Sequence, residues 1–262
     1  MIYKDKIALI TGSSVNGSLG ATIALRCASE GAKGIILTGL LINPDDPAEI
    51  IREIKRLGAD AIFIAADLKK PEEITSLVNQ ALDYFRRIDG LVNAAGITTR
   101  GTIENSTVEL WDEHMAINAR APFLTMQAMI RFWQKEKIAG SVVNIVTMSA
   151  HGGQPFITPY CASKGALLTL TKNVAHSQRF NRIRVNAILP GWMDTTGESS
   201  IQKKFHQAPD NWLELAEARQ PMGKLIKPAE LAGLAVYLLS DSSGVITGSA
   251  IDYDQNVMGA YD

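Results

Sequence analysis

The sequence predicts a doubly wound α/β domain: a parallel sheet with helices on both faces. Three observations carry this. Short apolar runs recur along the chain, with longer stretches of helical spacing between them. Strands joined by helices of this length must pair in parallel, because each crossover needs a helix. The runs are apolar at successive positions, as expected of strands covered on both sides. No repeat, low-complexity tract or linker interrupts the 262 residues, so residues 1–262 are expected to form one domain.

The elements follow in order. "KIALIT" is the first strand. "TGSSVNGSLGATIAL", Thr11 to Leu25, then reads as strand end, glycine turn and a helix starting near Ser18. "GIILTG" is the second strand and "PAEIIREIKRLG" the helix after it. "AIFIAADL" is the third, followed by "PEEITSLVNQALDYFRR". In that helix Ile74, Leu77, Val78, Ala81, Leu82 and Phe85 share one stripe, and Pro71 and Glu72 suit its first turn. "GLVNAAG", "SVVNIVT" and "IRVNAILPG" supply three more strands. The least regular stretch is about 194–223.

Composition narrows the function. Apolar residues make up 46% of the chain, enough for a substantial core, and the net charge of −1 offers no general attraction to nucleic acid or an anionic membrane. No apolar run approaches the roughly 18–20 residues of a membrane span, and the opening "MIYKDKIALITG" lacks the features of a secretion signal. Cys27 and Cys161 are isolated, with neither disulfide-framework nor zinc spacing; a reducing cytoplasmic setting is expected. Histidines 114, 151, 176 and 206 are scattered, so no metal site is expected, and there is no Gly-x-Ser-x-Gly esterase elbow.

In such a sheet, ligands bind at the carboxyl ends of the strands. Gly12, Asp67, Asn93–Gly96, Thr147, Ser149, Pro190 and Gly191 all fall where apolar runs end. Glycines in the first loop allow close backbone approach to a phosphate, and the following helix offers free N–H groups and a positive dipole end. The spacing of Gly12, Gly17 and Gly20 is not G-x-G-x-x-G, and a turn merely joining two elements is an equal reading of the loop by itself. In "YCASK", Tyr160 and Lys164 share a helix face one turn apart. There the ammonium can favour the phenolate, lowering a pKa ordinarily about 10, so that the tyrosine exchanges a proton with a carbonyl or alcohol. Taken alone, the pair is common and reads first as an ordinary amphipathic helix start.

From about Lys6 to Gly259 the chain resembles the short-chain dehydrogenase/reductase family. The "TG" loop, "ADL", "NAAG", "NARAPF", "NIVTMSA", "YCASKGAL", "RVNAILPGW" and "ITGSAIDYD" occur in the family's order. The resemblance implies a Rossmann-type fold and reversible hydride transfer between NAD or NADP and a secondary alcohol or ketone. Tyr160 would be the general acid/base, Lys164 its activator and a ribose ligand, and Asn118 the holder of a relay water. Gly12, Asn16, Ser18 and Leu19 would contact the pyrophosphate. Asp67 and Leu68 would flank the adenine, and Asn93, Ala94 and Gly96 would line the adenosine ribose. Pro190, Gly191 and Thr195 would bind the carboxamide. Plain turn chemistry, or Asn93 bracing strands, is the other reading of these positions.

Two departures matter. The family's catalytic serine, thirteen residues before the tyrosine, is here Thr147; Ser149 is the other candidate hydroxyl. The glycine loop carries two extra residues and resembles that of divergent enoyl reductases. Those, however, place six residues between tyrosine and lysine, which would require tyrosine at Ile157. The three-residue spacing favours carbonyl chemistry. A 3-oxoacyl-thioester reductase and a non-catalytic dinucleotide sensor are the alternatives. Gly39 and Leu40 stand where the acid or base that separates NAD from NADP is expected; the charge of Asp45 and Asp46 tips the expectation to NAD. The substrate would lie among Ser149, His151, Gln154, Trp192, Met193 and residues 198–212, under a lid at about 194–223. The polar candidates favour a sugar, polyol or small oxo-compound. "DYDQN" replaces the family's "DGG". The resemblance also implies a homotetramer packed through helices at Val108–Lys137 and Pro159–Phe180, where Trp111, Phe132 and Leu167–Leu170 supply apolar surface.

Overall fold

The structure, a computed structural model, describes residues 1–258; the remaining residues of the 1–262 span lie outside the described residues. Its sheet runs in the order β3-β2-β1-β4-β5-β6-β7, with every neighbouring pair parallel. The strands are β1 (Ile7–Thr11), β2 (Gly34–Gly39), β3 (Asp60–Ala65), β4 (Gly90–Asn93), β5 (Ser141–Ile145), β6 (Arg184–Pro190) and β7 (Ala250–Tyr253). The helices are α1 (Leu19–Ser29), α2 (Asp45–Arg56), α3 (Pro71–Phe85), α4 (Val108–Met115), α5 (Ala121–Glu136), α6 (Thr158–Gln178), α7 (Thr196–His206), α8 (Trp212–Glu217) and α9 (Pro228–Leu239).

Successive strand residues point to opposite faces, and the core divides accordingly. Ala8 and Ile10 of β1 join one cluster with Ile23 of α1, Ile50 of α2 and Leu231 and Val236 of α9. Ile7 and Leu9 join the other, with Leu77 of α3, Met129 and Trp133 of α5 and Leu167 of α6. This two-sided burial is why the strands read as continuous apolar runs. The expected first turn of α3 is present, with Pro71 opening the helix.

Three features differ from the sequence expectation. A seventh short strand, β7, pairs with β6. The long helix expected over Val108–Lys137 is split, with a π turn at Ala116–Arg120 between α4 and α5. The irregular stretch at 194–223 holds α7 and α8, the first capped by Thr195, whose Oγ1 accepts from Glu198 N at 3.0 Å.

From β1 the chain builds outward to β2 and β3, then returns to place β4 on the other side of β1, opening a crevice at their carboxyl ends. Backbones approach very closely there. Gly12 has φ +68°, and a Cβ on it would lie 2.7 Å from Ala95 N and Cα. A Cβ on Gly20 would lie 2.8 Å from Gly12 C, so α1 can seat on the loop only with glycine at that point. Thr11 Oγ1 closes the seam by accepting from Ala94 N and Ala95 N, each at 3.1 Å.

Gly20→Ala is expected to destabilise the fold by about 1–3 kcal/mol despite alanine's better helix propensity, because the new methyl meets backbone. Gly233→Ala in α9, where nothing lies within 4 Å of an added Cβ, is the control and should stabilise by up to about 1 kcal/mol. Urea denaturation of both variants checks the pair.

Candidate active site

The glycine loop is tied down by its own hydroxyls. Ser13 Oγ donates to Ile10 O at 2.7 Å and accepts from Thr38 N at 3.0 Å. Ser18 caps α1, accepting from Ala21 N at 3.2 Å and donating to Gly12 O at 3.3 Å. The first turn of α1, beginning at Leu19, therefore presents its N–H groups at the crevice with no acidic side chain in that turn. Together with the glycine contacts, this cradle fits a dinucleotide pyrophosphate.

Across the crevice, α6 holds Tyr160 and Lys164. Lys164 is buried and its Nζ donates to Ile145 O at 2.7 Å. Burial pulls its pKa down to about 8. Burial pushes the Tyr160 phenol up to about 12, opposed first by a hydrogen bond with Thr147 and more weakly by Arg100, while Glu198 adds to the rise. Lys164 Nζ lies 6.0 Å from the Tyr160 ring centroid. The sequence expectation that the ammonium lowers the phenol is not met here: desolvation of the phenol outweighs the hydrogen bond with Thr147 and the charge of Arg100. Tyr160 is therefore protonated at neutral pH.

Thr147 stands beside the phenol, and its Oγ1 lies 3.3 Å from Ser149 Oγ. Ser149 turns away to donate to Gln154 Oε1 at 2.7 Å. Asn118 sits in the π turn, a local widening common at functional sites. Its Oδ1 accepts from Ile97 N and its Nδ2 donates to Ile97 O and Ser163 Oγ, each at 3.0 Å. Those bonds use the side chain and pin the backbone after Gly96. A Cβ on Gly96 would lie 3.2 Å from Asn118 Oδ1 and 3.4 Å from Lys164 Nζ.

A cleft of about 730 Å³ opens over Tyr160. Of the residues expected there, Gly96, Thr147, Ser149, Gln154, Pro190, Gly191, Trp192, Met193 and Thr195 line it. Trp192 Nε1 donates to Glu198 Oε1 at 2.8 Å, which fastens α7 over the cleft. His151 is not among the lining residues: its Nε2 lies 3.1 Å from Asp252 Oδ1, on β7. Asn16 is drawn to Glu49, with Nδ2 3.1 Å from Oε2. The Asn93 side chain is buried and braces the sheet, donating to Asn144 Oδ1 at 2.9 Å and accepting from Thr125 Oγ1 at 2.8 Å. Asp67 and Leu68 follow β3, with Leu68 buried and Asp67 Oδ1 accepting from Lys69 N at 3.0 Å.

Sequence reasoning missed Thr11, Arg100 and Asp254. Asp254 packs directly against Gly191 and lines the cleft, which is where "DYDQN" acts. Arg100 lies four residues past the "NAAG" run with no motif around it; nothing in the sequence pointed to it. Among the described residues, no group of three His, Cys, Asp or Glu gathers to hold a metal.

The buried ammonium has a stability consequence. Below about pH 8 the folded state carries a charge that prefers water, whereas the unfolded chain keeps Lys164 protonated to about pH 10.5. The unfolded state therefore binds more protons between those values, and stability from this group rises with pH across that window. Lys164→Met is expected to raise stability at pH 7 by about 1–3 kcal/mol, with the gain shrinking by pH 10. Urea titrations at the two pH values check this.

Residues 12–255 match the family model described as enoyl-(acyl carrier protein) reductase. An uncharacterized oxidoreductase of Thermotoga maritima is 34% identical over 254 residues, covering 97% of this chain and 98% of the relative. The 2,5-dichloro-2,5-cyclohexadiene-1,4-diol dehydrogenase of Sphingobium indicum is 32% identical over 249 residues, covering 95% and 94%. Among solved structures, an NAD⁺-bound xylitol dehydrogenase superposes with a TM-score of 0.88 at 25% identity, covering 98% of this chain and 100% of that one. With its parallel sheet, glycine cradle and paired Tyr160 and Lys164, the chain belongs to the short-chain dehydrogenase/reductase family of NAD(P)-dependent oxidoreductases.

Proposed function

We propose that the protein interconverts a secondary alcohol and a ketone, with Tyr160 as general acid/base at the floor of the cleft. The observation that carries this is that Tyr160 and Thr147 line one cleft, with Tyr160 one helical turn from the buried Lys164. A bound nicotinamide would supply the hydride acceptor or donor. In the oxidation direction the alcohol O–H proton passes to the Tyr160 phenolate, and Thr147 orients the substrate oxygen by hydrogen bonding. Lys164 would bind the nicotinamide ribose and Asn118 would hold the backbone that positions a relay water. Gly12, Ser18 and Leu19 would hold the pyrophosphate, and Pro190, Gly191 and Thr195 the carboxamide. The segment at 194–223 acts as a lid. A sugar, polyol or small oxo-compound fits the polar lining best. The diol and polyol named for the two relatives point the same way.

For the cofactor, NAD is favoured. Gly39 ends β2 with Ser14 Oγ packed against it, and residues 39–44 offer no lysine or arginine to a 2′-phosphate. The description of the matching family model favours a second reading, enoyl-thioester reduction. Ile157, buried, stands where that chemistry would place its tyrosine. Assembly as a homotetramer is supported by Trp111 and Phe123, each 43% exposed on α4 and α5. The free thiols of Cys27 and Cys161 fit a reducing cytoplasm.

Three outcomes are expected. Tyr160→Phe should reduce turnover at least about 10²-fold with nucleotide affinity within twofold, measured by nicotinamide absorbance and nucleotide titration; unchanged turnover would remove Tyr160 from the chemistry. Thr147→Ala should cost more turnover than Ser149→Ala in the same assay, with the reverse order transferring the hydroxyl role. Since the phenol rests protonated, alcohol oxidation should climb with pH between about 7 and 10 whereas ketone reduction should not. Reduction of crotonyl-thioester without activity on any alcohol or ketone would favour the second reading.

A further inference from the structure

Within that reading of the cleft, we infer that Arg100 selects a substrate bearing an anionic group, such as a carboxylate, phosphate or sulfonate, on the alcohol. Arg100 lines the cleft that Tyr160 floors. Its guanidinium has five N–H donors. Nη1 donates to Thr98 O at 3.2 Å and Nη2 meets His206 Nε2 at 3.0 Å, whereas Nε is buried with no partner. Among the described residues, no carboxylate forms an ion pair with it. An arginine without a counter-ion beside a ligand cleft is the arrangement that a bidentate oxyanion completes.

The position is built. The loop carrying Arg100 is strapped to the segment before α6, with Gly101 N donating to Phe156 O at 3.0 Å and Thr158 N to Gly101 O at 2.9 Å. The guanidinium lies over the Phe156 ring at 5.4 Å, which leaves its edge for hydrogen bonding. Phe156 meets His206 edge to face at 6.2 Å, so lid helix α7 closes the third side. His206 Nε2 faces the guanidinium from α7, as the acceptor that an arginine N–H requires. Two acids also line the cleft, and each is hydrogen-bonded to neutral donors rather than to Arg100. Glu198 Oε1 accepts from Trp192 and from Gln202 Nε2 at 2.7 Å, and Asp254 packs on Gly191.

The test uses calorimetry and steady-state kinetics on the full chain with matched probes. The pairs are 3-hydroxybutyrate and butan-2-ol, gluconate and glucose, glycerol 3-phosphate and glycerol, and 2-hydroxypropanesulfonate and propan-2-ol. At least one anionic member should bind at least tenfold more tightly than its neutral partner. Arg100→Gln should remove that preference while leaving NAD affinity within twofold, and Arg100→Lys should restore part of it. The pair that shows the effect identifies the anion. Equal binding within each pair, absence of binding by every anionic probe, or an unaltered preference in Arg100→Gln would overturn the inference. Anion preference that depends on Arg100, with no turnover of any probe by NAD or NADP, would support this site and count against oxidation of these four alcohol classes in the proposed function.

Discussion

The site depends on how closely two stretches of backbone can approach at the crevice between β1 and β4. Thr11 Oγ1 accepts from the amides of Ala94 and Ala95, and Gly12 lies so near that segment that no side chain fits. Gly20 then lets α1 sit on the loop. These contacts aim the positive end of α1 into the crevice from one side. From the other side, β4 delivers the Gly96–Ile97 backbone, which Asn118 fixes through paired hydrogen bonds. A cleft at this point follows from the parallel strand order, because adjacent connections leave in opposite directions there.

The energetics of the other wall run against stability. Lys164 is a cation buried with one carbonyl partner, and Tyr160 is a phenol whose ionised form is disfavoured by the same desolvation. Neither arrangement is what a packed core would select, and buried ionisable groups with opposed shifts are a mark of a working site. Binding of a dinucleotide would give the ammonium ribose hydroxyls in place of a single carbonyl. The folded protein thus holds Lys164 at a cost, which nucleotide binding at the proposed site would offset.

Most of the fold was legible in the sequence because two-sided burial writes itself into local composition. Runs such as "KIALI" and "SVVNI" need no tertiary information to read as covered strands, and Pro71 marks the start of α3 wherever that helix packs. The π turn at Ala116–Arg120 and the helices α7 and α8 were not legible: the first depends on hydrogen bonds shifted by one residue, the second on packing across the cleft. Within the site, the Tyr160–Lys164 pair was readable because both lie on one helix face. The direction of the phenol's shift was not, since burial is a property of the assembled fold.

The sequence by itself determined the parallel α/β architecture, the loop that can accept a pyrophosphate and the spacing that places phenol and ammonium together. All three rest on periodicity or on neighbours within one turn, where geometry is fixed by the local backbone. Only the tertiary structure decided which polar groups face the cleft. It turned His151 toward Asp252, drew Asn16 to Glu49 and used Asn93 to brace two strands. It also brought Arg100, Phe156 and His206 together from three separate segments. Those partnerships form between residues distant in the chain, and only the packing of strands and helices sets their distances.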